Sequence, residues 1–144
     1  MSRKTGSLRT LIALTLLFIW GHSLMSAETS MAESGTVGRL LEKLLPEGEA
    51  AVTIVRKGAH MLEYALLSAE LTLLKGETAF PRRLFGTLSF CGLAALIDET
   101  VQYIPVGRGP AVTDVWIDLA GALFGALFVS LLLSVRTGAG RKRG

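Results

Sequence analysis

Four apolar blocks, near residues 8–26, 54–75, 84–104 and 113–135, decide what this chain can become. A helix that crosses the hydrocarbon core of a bilayer needs about 20 mostly apolar residues. Four such helices use most of the 144 residues and leave too little for a soluble domain with its own core. The hydrophobic fraction, 50%, is also found in ordinary soluble domains, so the evidence lies in the clustering. A Rossmann-type enzyme, a nucleic-acid-binding module and a secreted disulfide-rich fold are excluded. The single cysteine, Cys91, lies inside an apolar block and has no partner for an intrachain disulfide. The excess of 15 Lys and Arg over 12 Asp and Glu reads as membrane topology, with no nucleic-acid partner.

The expected fold class is an all-α membrane protein, a single domain over residues 1–144 with four transmembrane helices. The first block has a basic start and could be mistaken for a signal peptide. Ala27 has Met25 two residues before it where cleavage favours a small residue, so an uncleaved span is expected. Between spans one and two, Val37, Leu40, Leu41, Leu44 and Leu45 recur at helical spacing with Arg39, Glu42 and Lys43 among them. They describe a short amphipathic extracytoplasmic helix ended by Pro46.

The charges divide sharply between the two sides. The N-terminus, the loop between spans two and three, and the C-terminus carry Arg3, Lys4, Arg9, Lys75, Arg82, Arg83, Arg136, Arg141, Lys142 and Arg143 against Glu77. The other side carries Arg39, Lys43 and Arg108 against Glu28, Glu33, Glu42, Glu47 and Glu49. Cytoplasmic loops are enriched in Lys and Arg, so a multi-pass plasma-membrane protein with both termini cytoplasmic is expected. The basic tail at 138–144 then meets anionic inner-leaflet headgroups.

Inside the spans the polar residues gather at one end. Lys57, His60, Glu63 and Tyr64 share a face of span two, next to Arg56. Span three ends in Asp98, Glu99 and Gln102, and span four begins with Asp114 and Asp118. A short loop between them carries Arg108. An isolated charge at helix depth costs about 2.5 kcal/mol or more. These groups are therefore expected to pair in one pocket open to the extracytoplasmic side. For Arg56, Glu99 and Asp114 the plainer account is a helix end reaching the headgroups. Glu63 and Asp118 lie too deep for that, and a lone His60 is commonly a packing residue. Glu70, beside Lys75, reads as snorkelling to the cytoplasm, and His22 is given no role. Gly121 and Gly125 share the face of Asp114 and Asp118 and read as a close-packing pair. Their neighbour is either a helix of the same chain or a second copy in a homodimer.

Taken in order, Arg56-Lys57-x-x-His60-x-x-Glu63-Tyr64, Asp98-Glu99-x-x-Gln102, Pro105-x-Gly107-Arg108 and Asp114-Val115-x-x-Asp118-x-x-Gly121-x-x-x-Gly125 resemble the VanZ-like family of small membrane proteins. The polar stretch after the first block, Ser23 to Ser30, is similar as well, and relatives often carry asparagine at the position of Asp118. The family is named for a member associated with resistance to teicoplanin, a lipid-anchored glycopeptide antibiotic. The resemblance implies a cell-envelope location and a link to glycopeptide resistance.

Three function classes follow from the pocket. The first is a site for an anionic lipid headgroup, such as a polyprenyl-phosphate-linked envelope intermediate or a lipoglycopeptide. Arg56, Lys57 and Arg108 supply the positive charge, with Tyr64, Glu99, Gln102, Asp114 and Asp118 completing the binding set. His60 with Glu63 or Asp98 provides an acid–base pair if the lipid is modified. The second is a metal site, disfavoured by a single pocket histidine and the lack of a His-Glu-x-x-His pattern. The third is a small proton-coupled transporter using Glu63 and Asp118, against which the one-sided polar groups argue. The first class is preferred, with membrane lipids as partners and with no cofactor or metal assigned.

Overall fold

The computed structural model describes residues 3–24, 49–76, 78–104 and 111–141. Those residues form four helices and no strands: α1 (Arg3–Ser23), α2 (Glu49–Lys75), α3 (Phe80–Val101) and α4 (Val112–Arg141). The expected amphipathic helix at 37–46, the loop with Arg108 and residues 142–144 of the tail lie outside the described residues.

Several helix ends differ from the apolar blocks for local reasons. α3 begins at Phe80 because Pro81 occupies its first turn, where a missing N–H costs nothing. The end of α2 is set by Gly76, whose φ of 44° places it in the left-handed region that ends helices. Arg83 then closes this turn, its Nη1 donating to the Gly76 carbonyl at 2.6 Å and the Thr78 carbonyl at 3.3 Å. α4 runs on to Arg141, so the tail expected from residue 138 starts as helix.

Side-chain pairs give the directions of the helices. Thr15 meets Glu70 and His22 meets Glu63, so α1 and α2 are antiparallel. Lys57 meets Asp114 and Gly121 abuts Met61, so α2 and α4 are parallel. Trp20 reaches the Ala94 carbonyl and Ser23 lies beside Asp98, which makes α1 and α3 parallel. This is the alternation expected when consecutive helices run up and down through one layer. α2 packs most extensively on α4.

Buried positions recur every three or four residues, as at Ile12, Thr15, Ile19 and Ser23 in α1, and Thr87, Cys91, Ala94, Asp98 and Gln102 along α3. The outward faces are the apolar ones. Leu14, Leu17 and Phe18 of α1, Leu62 and Leu66 of α2, Phe85, Leu93 and Leu96 of α3, and Phe124, Phe128 and Leu131 of α4 are all exposed. Polar groups inside and large apolar side chains outside are the reverse of a water-soluble bundle. Two helices, 80–101 and 112–136, are long and apolar enough to cross a membrane by length and composition. α2 has the length, 27 residues, but carries Lys57, His60, Glu63 and Glu70.

Glu70 corrects the expectation of a snorkelling side chain. It is buried and accepts a 3.0 Å hydrogen bond from Thr15 of α1. The rotation of α2 that turns His60 inward also turns Glu70 inward, because residues ten apart on a helix lie about 80° apart, within a quarter of a turn of each other.

The glycine face of α4 is filled by α2 of the same chain. A Cβ at Gly121 would run into the Met61 carbonyl, and one at Gly125 into the Ala65 carbonyl and the Ser68 hydroxyl. Of the two expected neighbours, the structure places the intrachain one on this face; a homodimer through Gly121 and Gly125 would have to displace it.

Candidate functional site

The ends of the four helices away from the Lys75–Arg83 turn bring most of the expected site residues together. Lys57, in the first half of α2, donates to Asp114 at 2.7 Å, tying α2 to the start of α4. Asp114 lies in the first turn of α4, where a carboxylate is also favoured by the helix dipole. Glu99 has a comparable structural duty. Its Oε2 accepts the Ala111 N–H at 2.7 Å, satisfying a backbone donor at the entry to α4.

Gln102 joins the two acids at the end of α3. Its Nε2 donates at 3.2 Å both to Asp98 Oδ2 and to Glu99 Oε1. Asp98 is fully buried, and the Ser23 side chain of α1 lies beside it. His60 stands between two carboxylates, with Nδ1 3.7 Å from Glu63 and 3.9 Å from Asp98. These are ion-pair separations, too long for direct hydrogen bonds. One donor atom each of His60, Asp98 and Asp118 lie within 4.8 Å of one another, and all three residues are buried.

Asp118 is only 1% exposed, and neither carboxylate oxygen has a hydrogen-bond partner among the described residues. The strongest charges acting on it are those of Asp98, Glu99, Asp114 and Glu63. Tyr64 is fully buried one turn below His60, with Asp98, Asp118 and Glu63 as its acidic neighbours. Arg56 is half-buried at the same end of α2. Arg108 lies outside the described residues.

Two site residues were missed in the sequence. His22 Nδ1 sits 3.3 Å from Glu63, and its ring stacks on that of His60 at a centroid distance of 6.0 Å. The site therefore contains two histidines, which removes the reason for treating His60 as solitary. Ser23 joins through Asp98. The signal was their place at the end of span one, the same end of the bundle as His60 and Asp98. A serine and a histidine at a helix end carry no spacing pattern that marks them.

The described site is acid-rich. Glu63, Asp98, Glu99, Asp114 and Asp118 face Lys57, Arg56 and the two histidines, and Lys57 is already engaged by Asp114. Next to it runs a groove of about 320 Å³ lined by Leu14, Thr15, Phe18, Glu63 and Leu66. A shallow apolar groove on the outward side of α1 and α2 thus borders a carboxylate of the polar cluster.

Comparison with curated proteins and with solved structures finds no match for this chain. The VanZ/LLP1 family profile matches residues 9–133, which take in the whole of α2 and α3, most of α1 and α4, every site residue described above and the loop with Arg108. This chain belongs to the VanZ/LLP1 family.

Proposed function

We propose that the chain is a four-span plasma-membrane protein whose polar end opens to the extracytoplasmic side and holds the anionic headgroup of a lipid-linked envelope intermediate or a lipoglycopeptide. Membership of a membrane-protein family and two helices apolar enough to cross a bilayer give the coarse part of this reading. The exposed apolar faces of α1 and α2 support two further spans, and the cation excess at the Lys75–Arg83 end supports the orientation. Residues 1–144 then form one membrane domain, with the tail from 138 on the cytoplasmic side.

The observation that carries the ligand class is the groove ending at Glu63. An acyl or prenyl chain lying along Leu14, Phe18 and Leu66 brings its headgroup to the polar end of the bundle, beside Glu63. Because the buried groups are mostly acidic, a phosphate binds at the rim, to Arg56, Lys57 and Arg108, rather than among the carboxylates. His60, between Glu63 and Asp98, is the group placed to move a proton if the lipid is modified.

Orientation is tested by a cysteine at position 48 with Cys91 replaced by serine. It is expected to react with an impermeant thiol reagent in intact cells, whereas a cysteine at position 77 stays unlabelled. The opposite pattern overturns the orientation. Ligand class is tested by retention of a polyprenyl phosphate on the purified chain in detergent. Wild type is expected to retain it. Arg108→Lys is expected to lose retention by about tenfold, because lysine cannot make the planar two-point contact of a guanidinium. His60→Gln is expected to keep retention and to lose lipid modification or lipoglycopeptide tolerance. A wild-type chain that retains no polyprenyl phosphate, or an Arg108→Lys chain that behaves as wild type, overturns the headgroup reading.

A further inference from the structure

We infer that His60, Asp98 and Asp118 form a binding site for one divalent transition-metal cation, of the Zn²⁺ or Mn²⁺ type, buried where α2, α3 and α4 converge. The donor set comes first. One imidazole nitrogen and two carboxylate oxygens from three different helices lie within 4.8 Å of one another. Ligands about 2.0–2.2 Å from a zinc ion stand about 3–3.5 Å apart, so closure takes side-chain rotation of about 1 Å with no movement of the helices. Two carboxylates and a neutral imidazole balance a divalent charge. With no thiol in the set, a hard-to-borderline cation is favoured over a soft one.

The second observation is Asp118. It is 1% exposed, and neither of its oxygens has a hydrogen-bond partner among the described residues. The charges acting most strongly on it are other acids. Buried carboxylates are kept when they are paired, hydrogen-bonded or coordinated to a metal, and among the described residues no cation meets this one. A metal ion at this point supplies the missing positive charge to Asp118 and Asp98 together. Gln102, hydrogen-bonded to Asp98, then orients a ligand from outside, as partners of metal-binding side chains commonly do.

The site is independent of headgroup binding by Arg56, Lys57 and Arg108, though a metal on His60 replaces the proton-moving role given to that residue, and its test uses no lipid. The full chain, purified without a polyhistidine tag and stripped of metal, is incubated with Zn²⁺ or with Mn²⁺, passed through gel filtration and measured by elemental mass spectrometry. Wild type is expected to retain about one equivalent of one of the two ions. His60→Ala and Asp118→Asn are each expected to weaken retention by at least about tenfold. Because either variant could misfold, the wild-type chain is also loaded with Co²⁺, whose visible absorption reports coordination by nitrogen and oxygen ligands without any substitution. Metal retention below about a tenth of an equivalent with both ions overturns the proposal, as do variants that bind like wild type or a Co²⁺ spectrum identical to the aqueous ion. Metal retained without polyprenyl phosphate removes only the headgroup reading; the reverse result removes only the metal site.

Discussion

Gly125→Val is expected to drive α2 and α4 apart and to cost about 3 kcal/mol, the upper end for overpacking a well-packed interior. Even the first carbon of the new side chain would overlap the Ala65 carbonyl and the Ser68 hydroxyl. A carbonyl held in a helix cannot rotate out of the way as a flexible side chain can, so the helices must separate. That separation acts on the most extensive helix contact in the structure and pulls Asp114 away from Lys57. Unfolding by SDS titration in mixed micelles, followed by the fluorescence of Trp20 and Trp116, measures the loss. Gly58→Ala is the matched control. A Cβ there meets nothing within 4 Å, and alanine in place of glycine inside a helix gains about 0.5–1 kcal/mol. If Gly125→Val unfolds with the wild-type midpoint, the intrachain packing of this face is wrong and the second-copy alternative returns.

Asp98→Ala and Asp98→Asn are expected to separate the structural from the chemical part of this residue. Alanine removes the acceptor used by Gln102 and the carboxylate beside His60, both in a buried setting. Leaving such groups without their acceptor costs about 1–3 kcal/mol, partly offset by relief of the repulsion between Asp98 and Asp118. A net loss of about 2 kcal/mol is expected in the same SDS titration. Asparagine keeps the shape and one acceptor oxygen, so stability should remain within about 0.5 kcal/mol of wild type. Its metal retention should nonetheless fall, because the amide oxygen is a poorer ligand than a carboxylate. A destabilised Asp98→Asn with undiminished metal retention would assign Asp98 a packing role alone.

Much of the helical frame was legible because the signals were long. α3 and α4 overlap their apolar blocks almost throughout; α3 starts earlier, with Pro81 in its first turn, and stops at Val101, and α4 runs on into the tail. Lys57, His60, Glu63 and Tyr64 could be placed on one face because they lie at steps of three and one along a single helix. That Lys57 would meet a carboxylate followed from the cost of burying either charge alone, but which one, Asp114, needed the packing of α2 on α4. Glu99 shows the limit of that argument. It belongs to the expected binding set, and the structure adds a hold on the entry to α4 that no spacing in the sequence announces.

What the sequence determined by itself was an all-helical chain with polar groups collected at one end, because apolar length and helical period are properties of single segments. What it left open was how the segments rotate against each other. On a helix each residue advances the face by 100°, so a small rotation about the axis decides whether a side chain meets lipid, a neighbouring helix or the interior. Only the packing of α1 on α2 turned Glu70 towards Thr15 and brought His22 to Glu63. Only the parallel contact of α2 with α4 seated Gly121 and Gly125 on backbone carbonyls of the same chain. The convergence of His60, Asp98 and Asp118 needs three helices rotated together, a relation that no spacing along one helix contains.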